Sequence, residues 1–324
     1  MLNSNHSYTQ KFLKLSIIIV NYKAQHFLLQ CLSSVYQMLE GLDFEVIVVD
    51  NASGDDTEDK IKDNFSLVKL IVNSANWGFS KACNQAFKEG RGEYFLLLNP
   101  DTKILDSNFK EMIGFFEENP RLGILGCKIL NENGKVQRSV FPQPTPLKEI
   151  LDIATYLKLE KILPVSWTNR FYERLINESP HPFEVFWVSG ACLLIRGKTL
   201  EEIGFLDESF FLFSEDVDLA WRAKRNGWQV MFFPQTRIIH IIGGSSLEDS
   251  ESIYLRILHS YKRRTYFGQK YYSKMGNFLI RVVMLIDLLI RSVYIKFGFD
   301  CDSSKEKKNV KMKAYRDALR SVIT

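Results

Sequence analysis

The chain has 324 residues, of which 46% are hydrophobic and 25% charged, and this ordinary globular composition excludes disorder, collagen and coiled coil as readings of the whole chain. The net charge of +4 is an average over two unlike parts, with 26 Lys and Arg against 33 Asp and Glu in residues 1–252, and 16 against 5 in residues 253–324. An acidic body is therefore followed by a strongly basic tail.

The first apolar run, residues 15–20, is only six residues long and ends at Asn21, which is too short for a signal peptide and predicts a cytoplasmic protein. Cys31, Cys83, Cys127, Cys192 and Cys301 lie far apart, with no CxxC pair. They are expected as small core residues of a reducing compartment, neither a zinc site nor a disulfide framework.

Residues 15–20, 44–49, 67–72 and 94–98 are short, apolar on both faces and rich in β-formers, as buried parallel strands are. Helical spacing at 25–38, 56–64 and 78–89 separates them, so a doubly wound α/β sheet with right-handed crossovers is predicted. A helix is expected at 106–118, strands at 122–130 and 135–140, and a surface excursion at the proline run 142–146. Residues 148–178 look helical and loop-like, 183–195 resumes the sheet, a helix follows at 215–226 and strand near 228–241. From about 251 the chain turns into helices rich in Lys, Arg, Tyr and Leu. Residues 277–299 are long enough to span a bilayer, but Arg281, Asp287, Arg291 and Lys296 fall on one half of that helix. A helix lying in the membrane interface or packed on a partner fits better than a spanning one.

Several strand ends carry polar residues where an open parallel sheet binds ligands. Asp50 and Asn51 follow the second strand, placed either to read a nucleotide or simply to form a turn. Asp101 follows the fourth, where a carboxylate takes a hard divalent cation or caps the next helix. Glu215, Asp216 and Asp218 open a helix after an aromatic stretch, beside buried surface where a carboxylate is tuned as a general base. His240 ends a strand before Gly243-Gly244-Ser245-Ser246; it is either structural or a ligand for a divalent metal, with backbone N–H groups of the glycine run available to phosphate.

Taken in order, SIIIVNYKA, EVIVVDNASGDDT, NSANWGFSKACNQA, LLLNPD, VSGACLLIR, FSEDVDLAWRAKRNGW and HIIGGSS resemble family 2 glycosyltransferases of the GT-A fold, most of all the rhamnosyltransferase-like branch. The resemblance spans residues 14–247 and leaves the tail uncovered. It implies a GT-A domain over 1–250, with a nucleotide-sugar half at about 14–101 and an acceptor half at about 102–250, followed by a basic helical extension at 251–324. It also implies that Asp50 contacts the base, and that Asn51, Asn76, Gly78, Phe79, Asn84 and Asn99 belong to the nucleotide-sugar site. Asp101 and His240 would hold Mg²⁺ or Mn²⁺, Asp216 would be the base and Glu215 would orient it or the acceptor. The first acid of the family's DxD motif is replaced by Asn99.

The implied activity is inverting transfer of a sugar, L-rhamnose from dTDP-β-L-rhamnose first and a UDP-hexose second, to a hydroxyl of a glycan or lipid-linked saccharide. A sugar-phosphate nucleotidyltransferase is the alternative, disfavoured because no glycine lies between the first strand and Gly41. For the tail, docking on an anionic membrane surface competes with packing of a homodimer. No nucleic acid is expected as a partner.

Overall fold

The computed structural model describes residues 13–147, 165–241, 250–297 and 304–323, without the side chains of 165–170. Strands β1 (Leu15–Asn21), β2 (Phe44–Asp50), β3 (Lys69–Val72) and β4 (Tyr94–Leu98) run parallel. Every residue of β1 and β4 is buried, which is why these strands read as unbroken apolar runs rather than alternating ones. Helices α1 (Gln25–Met38), α2 (Thr57–Asn64) and α3 (Phe79–Glu89) make the crossovers.

Beyond β4 the sheet becomes mixed. With β5 (Thr102–Ile104), β6 (Leu122–Leu130), β11 (Cys192–Arg196) and β12 (Gln229–His240), its order is β3-β2-β1-β4-β11-β6-β12-β5. Strand β11 is antiparallel to both β4 and β6, while β12 runs parallel to β6. Helix α4 (Phe109–Glu118) packs with α1 on one face of the sheet. On the other, α3 is joined by α5 (Val165–Glu178), α6 (Gly197–Ile203) and α7 (Glu215–Arg225). The predicted doubly wound sheet with a core on each face is present, and the four described cysteines are buried in it; Cys301 lies outside the described residues.

Two expected elements differ. The helix expected from 106 begins at Phe109 because Asp106 is drawn off to Arg237, whose backbone N–H and Nε it accepts. The strand expected at 135–140 is cut into β7 (Val136–Gln137), which pairs antiparallel with the end of β6, and β8 (Val140–Phe141), which pairs with β10 (Trp187–Val188) in a separate ribbon. The chain changes sheets at Arg138, whose guanidinium stacks on Phe141. A further short strand, β9 (Phe183–Glu184), edges β12. Of the helical stretch expected at 148–178, residues 148–164 lie outside the described set.

Helices α8 (Ser250–Tyr271), α9 (Lys274–Lys296) and α10 (Lys305–Ile323) pack on one another through Leu258, Tyr261, Met284, Leu288 and Ala318. Helix α8 is also fastened to the body. Phe267 joins Phe210, Val217 and Trp221 in one buried cluster, and Lys270 bonds both Asp207 and the fully buried Asp218 at 2.6 Å. Trp221 is thus a packing residue.

Candidate active site

Parallel pairing brings the ends of β1 and β2 level, Asn21 opposite Asp50, and the loop after β4 lies beside them. There, a cavity of about 410 Å³ is lined by Tyr22, Asn51, Asn76, Gly78, Asn99 and Asp101, with Phe79 and His240 on the same wall. Seven residues expected to hold a nucleotide sugar and its metal therefore converge on one cavity.

Two others do not line it. Asp50 is buried and turned into its own loop, where Oδ1 accepts from Asn21 Nδ2 at 2.8 Å and Oδ2 from the Ser53 N–H at 3.0 Å. It forms the turn, and it is Asn51 that faces the cavity. Asn84 is spent on the opposite side of α3, bonding the Leu206 backbone N–H and C=O and the Glu208 carboxylate. That stitch, with Ser80 Oγ donating to the Phe210 carbonyl at 2.6 Å, holds the 206–213 loop against α3. Gly78 completes the contact: its φ is +83°, and a Cβ there would lie 2.7 Å from the Phe211 carbonyl oxygen.

Asp101 and His240 meet because β5 and β12 pair antiparallel, Thr102 opposite His240, and the Ile241 N–H bonds the Asp101 carbonyl at 2.9 Å. His240 Nε2 lies 3.4 Å from Asp101 Oδ1. Gln137 donates its amide nitrogen to the His240 carbonyl, so its Oε1, 3.1 Å from His240 Nδ1, is left to accept from an Nδ1–H. In the neutral ring this turns the Nε2 lone pair toward the carboxylate. Two electron-pair donors facing each other at that distance fit a hard or borderline divalent cation, with donor phosphate oxygens and water completing its shell. Among the described residues no group of three or more His, Cys, Asp or Glu side chains is arranged to hold a metal ion. Gly243 to Ser246 lie outside the described residues.

A second cavity, of about 340 Å³, is lined by Glu215, Asp216, Arg138, Trp187 and, from the tail, Arg263 and Arg264. Phe213 lines both cavities. It and Ser214 have left-handed backbone, φ +66° and +72°, a costly conformation for side-chain-bearing residues that delivers Glu215 and Asp216 to the cavity floor at the start of α7. Arg263 of α8 steadies this turn by donating to Ser214 Oγ at 2.7 Å.

Burial raises both carboxyls. Glu215 is pushed up to about 8 by burial first and then by the neighbouring Asp216. Asp216 is also raised by burial, but N–H groups of Gly190, at 3.0 Å, and Val217, at 2.8 Å, favour its ionised form. Burial thus favours the protonated form of Glu215, while beside it the two backbone N–H groups favour the carboxylate form of Asp216. The third acid, Asp218, is structural: Arg222 Nε bonds it at 2.7 Å and Lys270 from the other side.

The model of glycosyl transferase family 2 matches residues 16–203. The chain belongs to that family. A second model, glycosyl transferase family group 2, matches residues 159–296 and so reaches into the tail. As a family member this protein is a glycosyltransferase, and it is similar to several sugar transferases. The N-acetylglucosaminyl-diphospho-decaprenol L-rhamnosyltransferase of Mycobacterium tuberculosis is 27% identical over 219 residues, covering 64% of this chain and 69% of that protein. The dTDP-rhamnosyl transferase of Shigella flexneri is 24% identical over 234 residues, covering 71% and 70%. Among solved structures, a Pyrobaculum calidifontis mannosyltransferase with GDP-Man and Mn²⁺ aligns with TM-score 0.55 at 12% identity, over 95% of this chain and 86% of that one. Staphylococcus aureus TarS 1–349 with UDP-GlcNAc aligns at 0.51 with 17% identity, over 95% and 91%. These two likenesses establish the GT-A fold.

The transferase site includes residues that motif reading passed over. Leu255 and Arg256 of α8 wall the first cavity, and Arg263 and Arg264 the second. Phe141 and Trp187 stack at 3.8 Å beside the second cavity. The cue for α8 was the basic run Lys262-Arg263-Arg264; nothing local said that it faces the site.

Proposed function

We propose that the protein is an inverting transferase that moves L-rhamnose from dTDP-β-L-rhamnose to a hydroxyl of a lipid-linked saccharide or other glycan in surface polysaccharide synthesis, at the cytoplasmic face of the membrane. The observation that carries the reading is the pair of cavities meeting at Phe213, one lined by Asn51, Asn76, Asp101 and His240 and the other by Asp216. The rhamnosyl relatives named above support the donor, and the decaprenol-linked acceptor of one of them supports the acceptor class. A UDP-hexose is the second candidate donor, in line with the UDP-GlcNAc complex of TarS.

In this reading the nucleoside diphosphate lies in the first cavity with its anomeric carbon toward Phe213. Asp216 accepts the proton of the acceptor hydroxyl as that oxygen bonds to the anomeric carbon, while the bond from that carbon to the diphosphate oxygen breaks on the opposite face, so the configuration inverts. Protonated Glu215 orients the acceptor by donating a hydrogen bond. Asp101 and His240 would hold Mg²⁺ or Mn²⁺, which neutralises charge on a departing diphosphate when bound. Asn99 in place of an acid removes one negative charge from that site.

The test is sugar transfer or donor hydrolysis with a panel of dTDP- and UDP-sugars, with and without Mn²⁺. The Asp216→Asn protein is expected to lose roughly 10²–10⁴-fold in rate with unchanged thermal stabilisation by dTDP-rhamnose. Full transfer by Asp216→Asn would eliminate it as the base, and turnover of UDP-hexoses alone would replace the donor.

A further inference from the structure

Helix α9 is inside out for a water-facing helix. Its Arg281, Asp287 and Arg291 are turned inward: Asp287 is 1% exposed and bonded to Tyr261 and to Arg291 Nε at 2.8 Å, and Arg281 donates to the Val322 carbonyl at 2.7 Å. Its apolar half is turned outward, with Phe278 60%, Leu279 43%, Ile286 51%, Leu289 65%, Val293 42% and Phe297 68% exposed. At 100° per residue these six fall within a stripe of about 100°, and from Phe278 to Phe297 the stripe runs about 28 Å. Exposed apolar strips of this size mark contact surfaces. No helix of the described residues is long and apolar enough to cross a membrane.

We propose that the α9 ridge is a membrane-docking surface that lies along an anionic lipid bilayer and so holds the acceptor cavity, lined from the inner side of the same helix, near it. Charge decides the occupant. Residues 253–324 carry 16 basic against 5 acidic side chains, with Lys296 exposed at the C-terminal end of the ridge and Lys305 exposed after it. An anionic bilayer neutralises that excess, whereas a second copy seated on the same ridge would set two such segments against each other. The same helix reaches the chemistry from its other side: Ile280, 1% exposed on the inner side of α9, lines the cavity that contains Asp216. The purpose of docking rests on the transferase reading; the contact itself does not.

The experiment is vesicle co-sedimentation of the full chain at about 0.15 M salt, with phosphatidylcholine vesicles containing phosphatidylglycerol, beside phosphatidylcholine alone. Wild type should pellet with the anionic vesicles and several-fold less with neutral ones. The double variant Phe278→Ser/Leu289→Ser should bind at least roughly tenfold more weakly, because two apolar side chains no longer enter the interface. Its melting temperature and dTDP-rhamnose hydrolysis should match wild type, which separates lost docking from lost folding. Light scattering reports the mass in the same samples. Wild type that ignores anionic vesicles, or a variant that pellets as well as wild type, overturns the proposal. A wild-type dimer that the variant dissolves, with no vesicle binding by either, assigns the ridge to self-association instead. Vesicle binding without turnover of any nucleotide sugar would sink the function and leave the docking intact.

Discussion

Burial raises the carboxyls of both Glu215 and Asp216, and what divides the neighbours is the pair of N–H groups, from Gly190 and Val217, that favour the ionised form of Asp216 alone. A carboxyl whose folded pKa is about 8 binds more protons folded than unfolded, so its cost to stability is absent at low pH and grows from the ordinary carboxylate range up to about pH 8. Glu215→Gln, which mimics the protonated form, is therefore expected to melt higher than wild type at pH 8 and no higher at pH 4.5, in calorimetric scans. Transfer should persist within roughly an order of magnitude, unlike the loss in Asp216→Asn. Asp216, also raised by burial, should put the acidic limb of the kcat/KM profile above the ordinary carboxylate range. At this scale the sequence shows three acids in four residues, and its family resemblance implies a base among them, but neither says that Asp218 is a clamp. That role depends on Lys270, which is 52 residues away along the chain.

Among elements, the site depends on two junctions, β5 against β12 and α3 against the 206–213 loop. Gly78 is where the second is tightest, so Gly78→Ala is expected to cost about 1–3 kcal/mol from its positive φ, with the clash on Phe211 adding to it. Thermal shift should also show weaker stabilisation by dTDP-rhamnose, because the Phe211–Phe213 wall moves. The NxGF run was legible as a unit, since its glycine and asparagines precede a helix at a strand end. Its last asparagine, Asn84, was not, because helical spacing does not say whether a polar side chain meets a ligand or a backbone loop 122 residues on. The Asp50 carboxylate is a parallel case: both readings were open, and the Asn21 and Ser53 partners place it in the turn.

For the whole molecule, the basic tail is part of the site rather than an appendage. Ending the chain before Ser250 would strip Leu255, Arg256, Arg263 and Arg264 from the cavities and bare Phe210 and Trp221, so that fragment is expected to melt lower and lose nucleotide-sugar hydrolysis. The clamp at Asp207 supports the same view. Burial alone would raise its pKa, yet Lys270, the Ser209 N–H and Tyr266 lower it to about 2, so the stability it adds is present above the ordinary carboxylate range and lost as pH falls through about 2. The order of strands and helices to β4, the buried faces and the family motifs follow from the sequence alone, because hydrophobic period and turn chemistry are local. The reversal of β11, the approach of His240 to Asp101, the walling of both cavities by α8 and the outward ridge of α9 were decided only by tertiary packing. Each depends on which distant surface an element meets: Arg281, Asp287, Arg291 and Lys296 mark one half of a helix, but only the partners Tyr261 and Val322 determine that Asp287 and Arg281 face inward.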